Sequence, residues 1–390
     1  MKILKIKKLF NEYNLSILEN KNKTILFSYY QSLILKYSNK KDLEYKNNPL
    51  ISIIIPLYNN KKQYILRSLI SIEAQTFKNI EIIYIDDFSE NDSISLIDIL
   101  KLIDKRILLI LNNKNKGILF SKSLGVKISR GKYVLVLDQD DILLSKNLLK
   151  NAYEKLEKYE LDILQFNRYN LNEKDEKIYF IPEKIFPFYN SIITQPELSQ
   201  TKNFLNKSLA FTFNIWDKII KKNVYINALN FMGKELYNSK IIQREDHILT
   251  FALYKVAQKY MRTNIDGYLY IKHYNQITKN INEQKSSLVY DEFTFLNFLY
   301  INTNETEEEK NIFFREFLII IINLKVCIKV NNDIITKLVY KVCDYSIQSK
   351  FIGEYRKNIV NFCFNFKNLN TQFYINYNLN IILFFKKIIS

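Results

Sequence analysis

Glycine and proline are scarce in this chain, six and five among 390 residues. The glycines are Gly117, Gly125, Gly131, Gly233, Gly267 and Gly353, so neither a G-x-G-x-x-G turn nor a Walker A loop can be written anywhere. A classical dinucleotide enzyme and a P-loop NTPase are thereby excluded. Cysteine is just as sparse: Cys327, Cys343 and Cys363 are odd in number and far apart, which fits neither a disulfide framework nor a zinc-type spacing. Reduced, buried thiols are expected. With His247 and His273 as the two histidines, a histidine-rich metal site of the HExxH kind is excluded as well. Long apolar runs are also missing. Met1 to Phe10 alternates lysine with aliphatics and forms no signal-peptide core, and Phe317 to Ile322 is too short to span a bilayer. The expectation is a cytoplasmic protein, soluble or peripheral on the cytosolic face of a membrane.

What is abundant is Ile, Asn, Lys, Tyr and Phe, the signature of an AT-rich coding background. Apolar residues make up 47% and charged residues 25%, proportions that fold. The net charge of +17 has two readings, a solvated lysine-rich surface or a positive field that attracts anionic substrates or an anionic membrane. No nucleic-acid partner is expected.

Periodicity divides the chain. Residues 1–48 form a basic extension with a helical stretch from Lys23 to Tyr37. From residue 49 to 280 short apolar runs alternate with helical periods. Ile51 to Ile55, Ile80 to Ile85, Ile107 to Leu111 and Tyr133 to Leu137 read as buried strands, and Lys62 to Gln75, Ser93 to Leu102 and Ile118 to Ser129 as the helices between them. Strand, helix, strand in this order gives right-handed βαβ units and a parallel sheet. Residues 281–390 read as a helical appendage, and 171–242 show no pattern that decodes.

Polar clusters come directly after the strands. In an open α/β sheet ligands bind beyond the carboxyl ends of the strands, so Asn59, Asp87 and the run Asp138-Gln139-Asp140-Asp141 are expected in one crevice. Three carboxylates within four residues repel one another unless a cation sits among them. A hard ion with oxygen ligands, Mn2+ or Mg2+, suits a few carboxylates plus the oxygens of a diphosphate. The bland alternative is a turn of solvated aspartates, one of them capping the next helix. Pro56-Leu57-Tyr58-Asn59 offers an aromatic ring and amides suited to a nucleoside.

Four ordered segments resemble the signatures of family 2 glycosyltransferases. They are Ile53-Ile54-Ile55-Pro56-Leu57-Tyr58-Asn59, Ser71 to Ile82, Ile85-Asp86-Asp87-Phe88-Ser89 and Leu137-Asp138-Gln139-Asp140-Asp141. The resemblance is strong over 50–170 and weaker to about 280. It implies a GT-A fold, a Rossmann-like mixed and mainly parallel sheet flanked by helices, with a nucleoside-diphosphate sugar as donor. It places Pro56, Tyr58 and Asn59 by the nucleoside, Asp87 on the base, and Asp138, Asp140 and Asp141 at the ribose and a diphosphate-bound Mn2+ or Mg2+. Lys116 and Gly117 match the family's N-x-G turn, Trp216, Asp217 and Lys218 an element before the acceptor region, and Glu245 and Asp246 the acidic pair that supplies the catalytic base. An acidic pair in a first helical turn also satisfies the helix dipole with no catalytic duty. Where the family writes D-D-G-S, this chain has Phe88 for glycine, which makes that turn less free.

The implied activity is inverting, metal-dependent hexosyl transfer to an acceptor hydroxyl on a glycan, lipid or protein. A sugar-1-phosphate nucleotidyltransferase needs a Gly- and Arg-rich loop after the first strand, which is absent. A catalytically idle binding protein for nucleotide-sugars or anionic surfaces is the rival from another class.

Overall fold

The computed structural model describes residues 48–272 apart from 92, 173–176, 181–189, 200–211 and 242–243, together with 291, 294, 295, 298 and 302. The chain divides into two compact units, 1–287 and 288–390, and the first holds every strand and helix named below. The expected N-terminal extension and the helical appendage lie almost wholly outside the described residues.

The β-branched runs are the strands. Ile51–Leu57 (β1) and Ile80–Asp86 (β2) are buried along their whole length, as strands covered on both faces must be. Lys62–Glu73 (α1) connects them, and they pair in parallel from Ile51 opposite Ile80 to Leu57 opposite Asp86. Ser93–Ile103 (α2), Ile107–Leu111 (β3), Ile118–Ile128 (α3) and Tyr133–Val136 (β4) continue the winding. β3 adds to β2 and β4 to the other side of β1, both in parallel.

Beyond β4 the sheet becomes mixed. Ile142–Leu143 (β5), Leu148–Lys158 (α4), Ile163–Asn172 (β6), Lys177–Phe180 (β7) and Ile192–Thr194 (β8) come next. Lys218–Lys221 (β9), Lys222–Met232 (α5), Lys234–Tyr237 (α6), Glu245–Val256 (α7) and Lys259–Lys272 (β10) complete the unit. The strand order is β3-β2-β1-β4-β9-β6-β10-β5, with β7 on β6 and β8 on β10. β9 runs antiparallel to both β4 and β6, and β10 runs parallel to β6. This is the expected mixed sheet with helices, and its parallel half carries the alternation read from the sequence. Among the described residues no helix is long and apolar enough to cross a membrane.

The stretch that resisted decoding holds β9 and α5. β9 reads Lys-Ile-Ile-Lys, too short for a period and flanked by charge, yet Lys218 is fully buried. Local pattern cannot announce a buried lysine whose partners are themselves loop residues.

Close packing of α3 on the sheet depends on Gly125. A Cβ there would lie 2.3 Å from Ile54 Cγ2 and 3.3 Å from Ile85 Cγ1, so the helix can approach β1 and β2 only without a side chain. Gly125→Ala should therefore destabilise the domain by about 1–3 kcal/mol, the usual cost of overpacking a filled core. Denaturant unfolding of both proteins measures it; a neutral or stabilising change would show that α3 can retreat freely.

Candidate active site

The crevice is built from the carboxyl ends of β1, β2 and β4. Backbone pairing runs past the formal strands: Asp87 N donates to Leu57 O at 2.8 Å, Leu137 N to Ile54 O at 2.9 Å, and Asn112 N to Asp86 O at 2.9 Å. The first residues of each loop are thus held in register with the sheet.

The acidic loop is tied on three sides. Gln139 clasps the Tyr58 backbone, its Oε1 accepting from Tyr58 N at 3.1 Å and its Nε2 donating to Tyr58 O at 3.4 Å. Arg67, on α1, donates from Nη2 to Asp140 O at 2.9 Å. The Tyr268 hydroxyl accepts from Asp138 N at 3.2 Å and donates to Asp141 Oδ2 at 2.7 Å. Two elements distant in sequence, α1 and β10, fix where the carboxylates stand.

These contacts divide the three aspartates. Asp138 and Asp140 are half-buried. Asp141, expected among the metal ligands, is fully buried, and its other oxygen accepts Ile271 N at 2.8 Å. Both of its oxygens serve the junction of the loop with β10, and burial, with the nearby Asp140 and Asp138 adding to it, pushes its pKa well above the usual carboxylate range. Its fit is structural. Pro56 likewise lies buried in β1 opposite Ile85 and presents no surface to a nucleoside, whereas Tyr58 and Asn59 are exposed.

Asp87 is buried and organises the neighbouring turn. Its carboxylate accepts Asn112 Nδ2 at 2.9 Å, Lys116 N at 2.8 Å and Gly117 N at 2.7 Å. Gly117 has φ +92°, a conformation that suits glycine and lets both amides point at one acid. A carboxylate offers about four acceptor positions, so one remains for a base N–H. Lys116 itself lies over the Phe120 ring, 4.6 Å from its centroid.

The residue that sequence reasoning missed is Lys122. On α3 and fully buried, it donates to Asp246 Oδ1 at 2.7 Å and reaches Glu245 Oε1 at 3.3 Å. Asp246 also accepts Ile215 N at 3.4 Å. Both acids stand in the first turn of α7, where the dipole favours them. Burial, and then neighbouring carboxylates acting against Lys122, hold Glu245 and Asp138 up to about 7. The carboxylates of Asp246 and Glu245 add to burial in raising Asp138, so the acidic loop and α7 lie within electrostatic reach of one another. A lysine within an Ile-rich helical period gives no local sign that acids over a hundred positions later will claim it.

The expected acceptor element is divided too. Trp216 stacks on Tyr268 at 4.3 Å and Tyr270 at 5.7 Å between ring centroids, with the Arg168 guanidinium 5.4 Å from its ring. Asp217 and Lys218 are fully buried. Lys218 Nζ donates to Asp217 Oδ1 at 2.7 Å, Thr212 Oγ1 at 2.7 Å, Thr212 O at 3.1 Å and Asn214 O. That knot holds the loop before β9 and leaves neither charge for a substrate.

Whether these residues suit a cation can be judged from their chemistry. Among the described residues no three His, Cys, Asp or Glu side chains are gathered as a metal cage. Two half-buried carboxylates, Asp138 and Asp140, do stand two positions apart in a crevice richer in acid than in base. Mg2+ and its like are commonly held by one or two carboxylates plus substrate phosphates, so the set fits an ion that arrives with a diphosphate.

A mixed sheet with an acidic loop at its parallel strand ends and an acidic helix start beside it has the architecture of the GT-A fold. Residues 52–220 match the model described as glycosyl transferase family 2. The chain is similar to glycosyltransferase GlyG of Streptococcus pneumoniae serotype 4, 27% identical over 59% of this chain and 73% of GlyG. With glycosyltransferase GlyA of the same bacterium it shares 29% identity over 56% of this chain but 30% of GlyA. The structure of S. aureus TarS 1–349 in complex with UDP superposes with a TM-score of 0.58 at 17% identity, covering 80% of this chain and 83% of that one, a likeness of fold.

The way the acids are shared out is open to test by substitution. Asp141→Ala should destabilise the domain by about 1–3 kcal/mol, because the Tyr268 hydroxyl and Ile271 N–H lose their acceptor inside the protein. Asp140→Asn should leave stability unchanged and weaken metal-dependent nucleotide binding; parallel unfolding and binding titrations separate the two, and the reverse pattern would exchange their roles. For Lys122→Met, losing the cation must raise the pKa of Glu245 further, because Lys122 is what lowers it now. Because the proposed base Asp246 shares Lys122 with Glu245, the acidic limb of the pH–rate profile should then move to higher pH. Lys122→Arg should restore the limb, whereas a lysine that served packing alone would lower the rate without moving it.

Proposed function

We propose that the chain transfers a sugar, with inversion, from a nucleoside-diphosphate sugar to an acceptor hydroxyl. The observation that carries this reading is the convergence of Asp138 and Asp140 with the Lys122-bound pair Glu245 and Asp246 in one electrostatic site. The UDP-bound TarS neighbour supports a nucleotide as the donor's handle.

In this reading Tyr58, Asn59 and Asp87 receive the nucleoside, and Asp138 and Asp140 hold a divalent ion with the diphosphate. Such an ion would supply charge neutralisation for the departing diphosphate, an effect worth several kcal/mol. Asp246 takes the proton from the acceptor hydroxyl as its oxygen forms the new bond to the anomeric carbon and the bond to the diphosphate oxygen breaks. Lys122 fixes the carboxylate in place. Trp216, buried and stacked on Tyr268 and Tyr270, backs the β10 side of the acidic loop, and an acceptor glycan, lipid or protein hydroxyl would enter on the open side.

The test is a panel of nucleoside-diphosphate sugars incubated with the full chain, with Mn2+ or with chelator, scored by release of nucleoside diphosphate. Turnover with one donor in Mn2+ and none in chelator is expected; no turnover and no nucleotide binding with any donor would remove the reading. Asp246→Asn should keep donor binding and lower transfer by about 10²-fold or more, the scale of general-base loss. Near-normal transfer for that variant together with an inactive Glu245→Gln would move the base by one residue.

A further inference from the structure

Phe88 stands immediately after the β2 carboxyl end with its ring half exposed, at 50% of its maximum, and its backbone at φ +67°. That conformation suits glycine, and a bulky side chain found there is a genuine outlier. Burial offers little compensation, since the residue is half exposed. The turn is nevertheless held firmly. Ser89 N donates to Asp86 Oδ2 at 3.0 Å, Asn59 N to Ser89 Oγ at 2.9 Å, Glu90 N to Asn59 Oδ1 at 2.8 Å, and Asn91 Nδ2 to Asn60 O at 2.8 Å. The loops after β1 and β2 are stitched into one unit.

A second exposed ring belongs to the same unit. Tyr58, 42% exposed, comes after Leu57, whose register partner is Asp86, so Tyr58 and Phe88 leave adjacent parallel strands at nearly the same level. Asp87 continues that register level with Tyr58, one residue before Phe88, and has one acceptor position to spare. Strain kept at a firmly held position is characteristic of ligand sites. Two exposed aromatic residues on loops tied to one another, beside a buried acid with acceptor capacity, have the chemistry of a stacking platform for a flat heterocycle.

We propose that Phe88, together with Tyr58, stacks on the base of the donor nucleotide, which makes Phe88 a binding residue of this chain in place of the glycine that its family phrase carries. The inference rests on the nucleotide-donor reading and adds to it a residue and a contact. Its ring acts on the base alone and leaves the diphosphate to the acidic loop.

Calorimetric binding of UDP and of inorganic pyrophosphate, each in Mn2+, to the full chain and to Phe88→Gly and Phe88→Trp tests this, with melting temperature measured alongside. Phe88→Gly should bind UDP about tenfold more weakly, a typical loss for one stacked base. It should bind pyrophosphate unchanged and melt no lower, since glycine relieves the positive φ. Phe88→Trp should retain UDP affinity. Unchanged UDP affinity in Phe88→Gly would overturn the inference and leave the donor reading intact; equal weakening of UDP and pyrophosphate, or a lower melting temperature with both ligands weakened, would assign Phe88 to loop structure instead. A wild-type chain that binds neither UDP nor pyrophosphate would overturn the donor reading and this contact with it.

Discussion

Negative charge crowded against one buried lysine is the constraint around which this domain is arranged. Asp138 from the loop after β4, and Glu245 and Asp246 from the start of α7, all act on Lys122, and the lysine is held well above its ordinary pKa because the three acids outweigh the cost of burying it. A fully buried ammonium without partners would cost several kcal/mol, so α3 and α7 cannot separate without exposing an unpaired charge. The link therefore does two jobs: it joins the helix after the Gly117 turn to the helix that bears the acidic pair, and it bears on the protonation of Glu245.

The sheet supplies the frame in which such crowding is tolerable. β1, β2 and β4 are buried along their lengths, and their last residues continue to bond across the strand ends. Side chains on these loops are positioned by backbone pairing rather than by their own contacts. Tyr268 extends that control from the far side, since one hydroxyl couples the Asp138 amide to the Asp141 carboxylate. Asp141 thus contributes by staying out of the crevice: anchored to β10, it sets the curve of the loop that presents Asp138 and Asp140.

Much of this was legible in the sequence, and the limits have physical causes. Apolar runs ending in Asp or Asn marked β1, β2 and β4 and their crevice, because a doubly covered strand is a local pattern and its carboxyl end a general ligand position. Which aspartate of the run turns inward was not legible, since Tyr268 and Ile271 choose it from more than a hundred residues away. Asp217 and Lys218 looked like substrate groups for the same reason; their partners Thr212 and Asn214 lie in an aperiodic loop. Lys122 was invisible as a functional residue because, in a lysine-rich chain, a single helical lysine carries no signal. Phe88 was legible as a departure from the family phrase, but the positive φ that gives it meaning belongs to the fold.

The same charge balance bears on how a donor would enter. With every carboxylate ionised, Asp138, Asp140, Glu245 and Asp246 against Lys122 leave a net negative crevice, and that excess adds to burial in pushing Asp138 and Glu245 up to about 7. A nucleoside-diphosphate sugar brought in alone would add about two more negative charges, at separations where like charges in a partly buried site cost kcal/mol rather than tenths. The same donor carrying a divalent cation is close to neutral, and its cation draws protons off the acids it meets, as metal binding to carboxylates generally does. In the proposed reading the arrangement would favour the ion and the diphosphate arriving as one ligand.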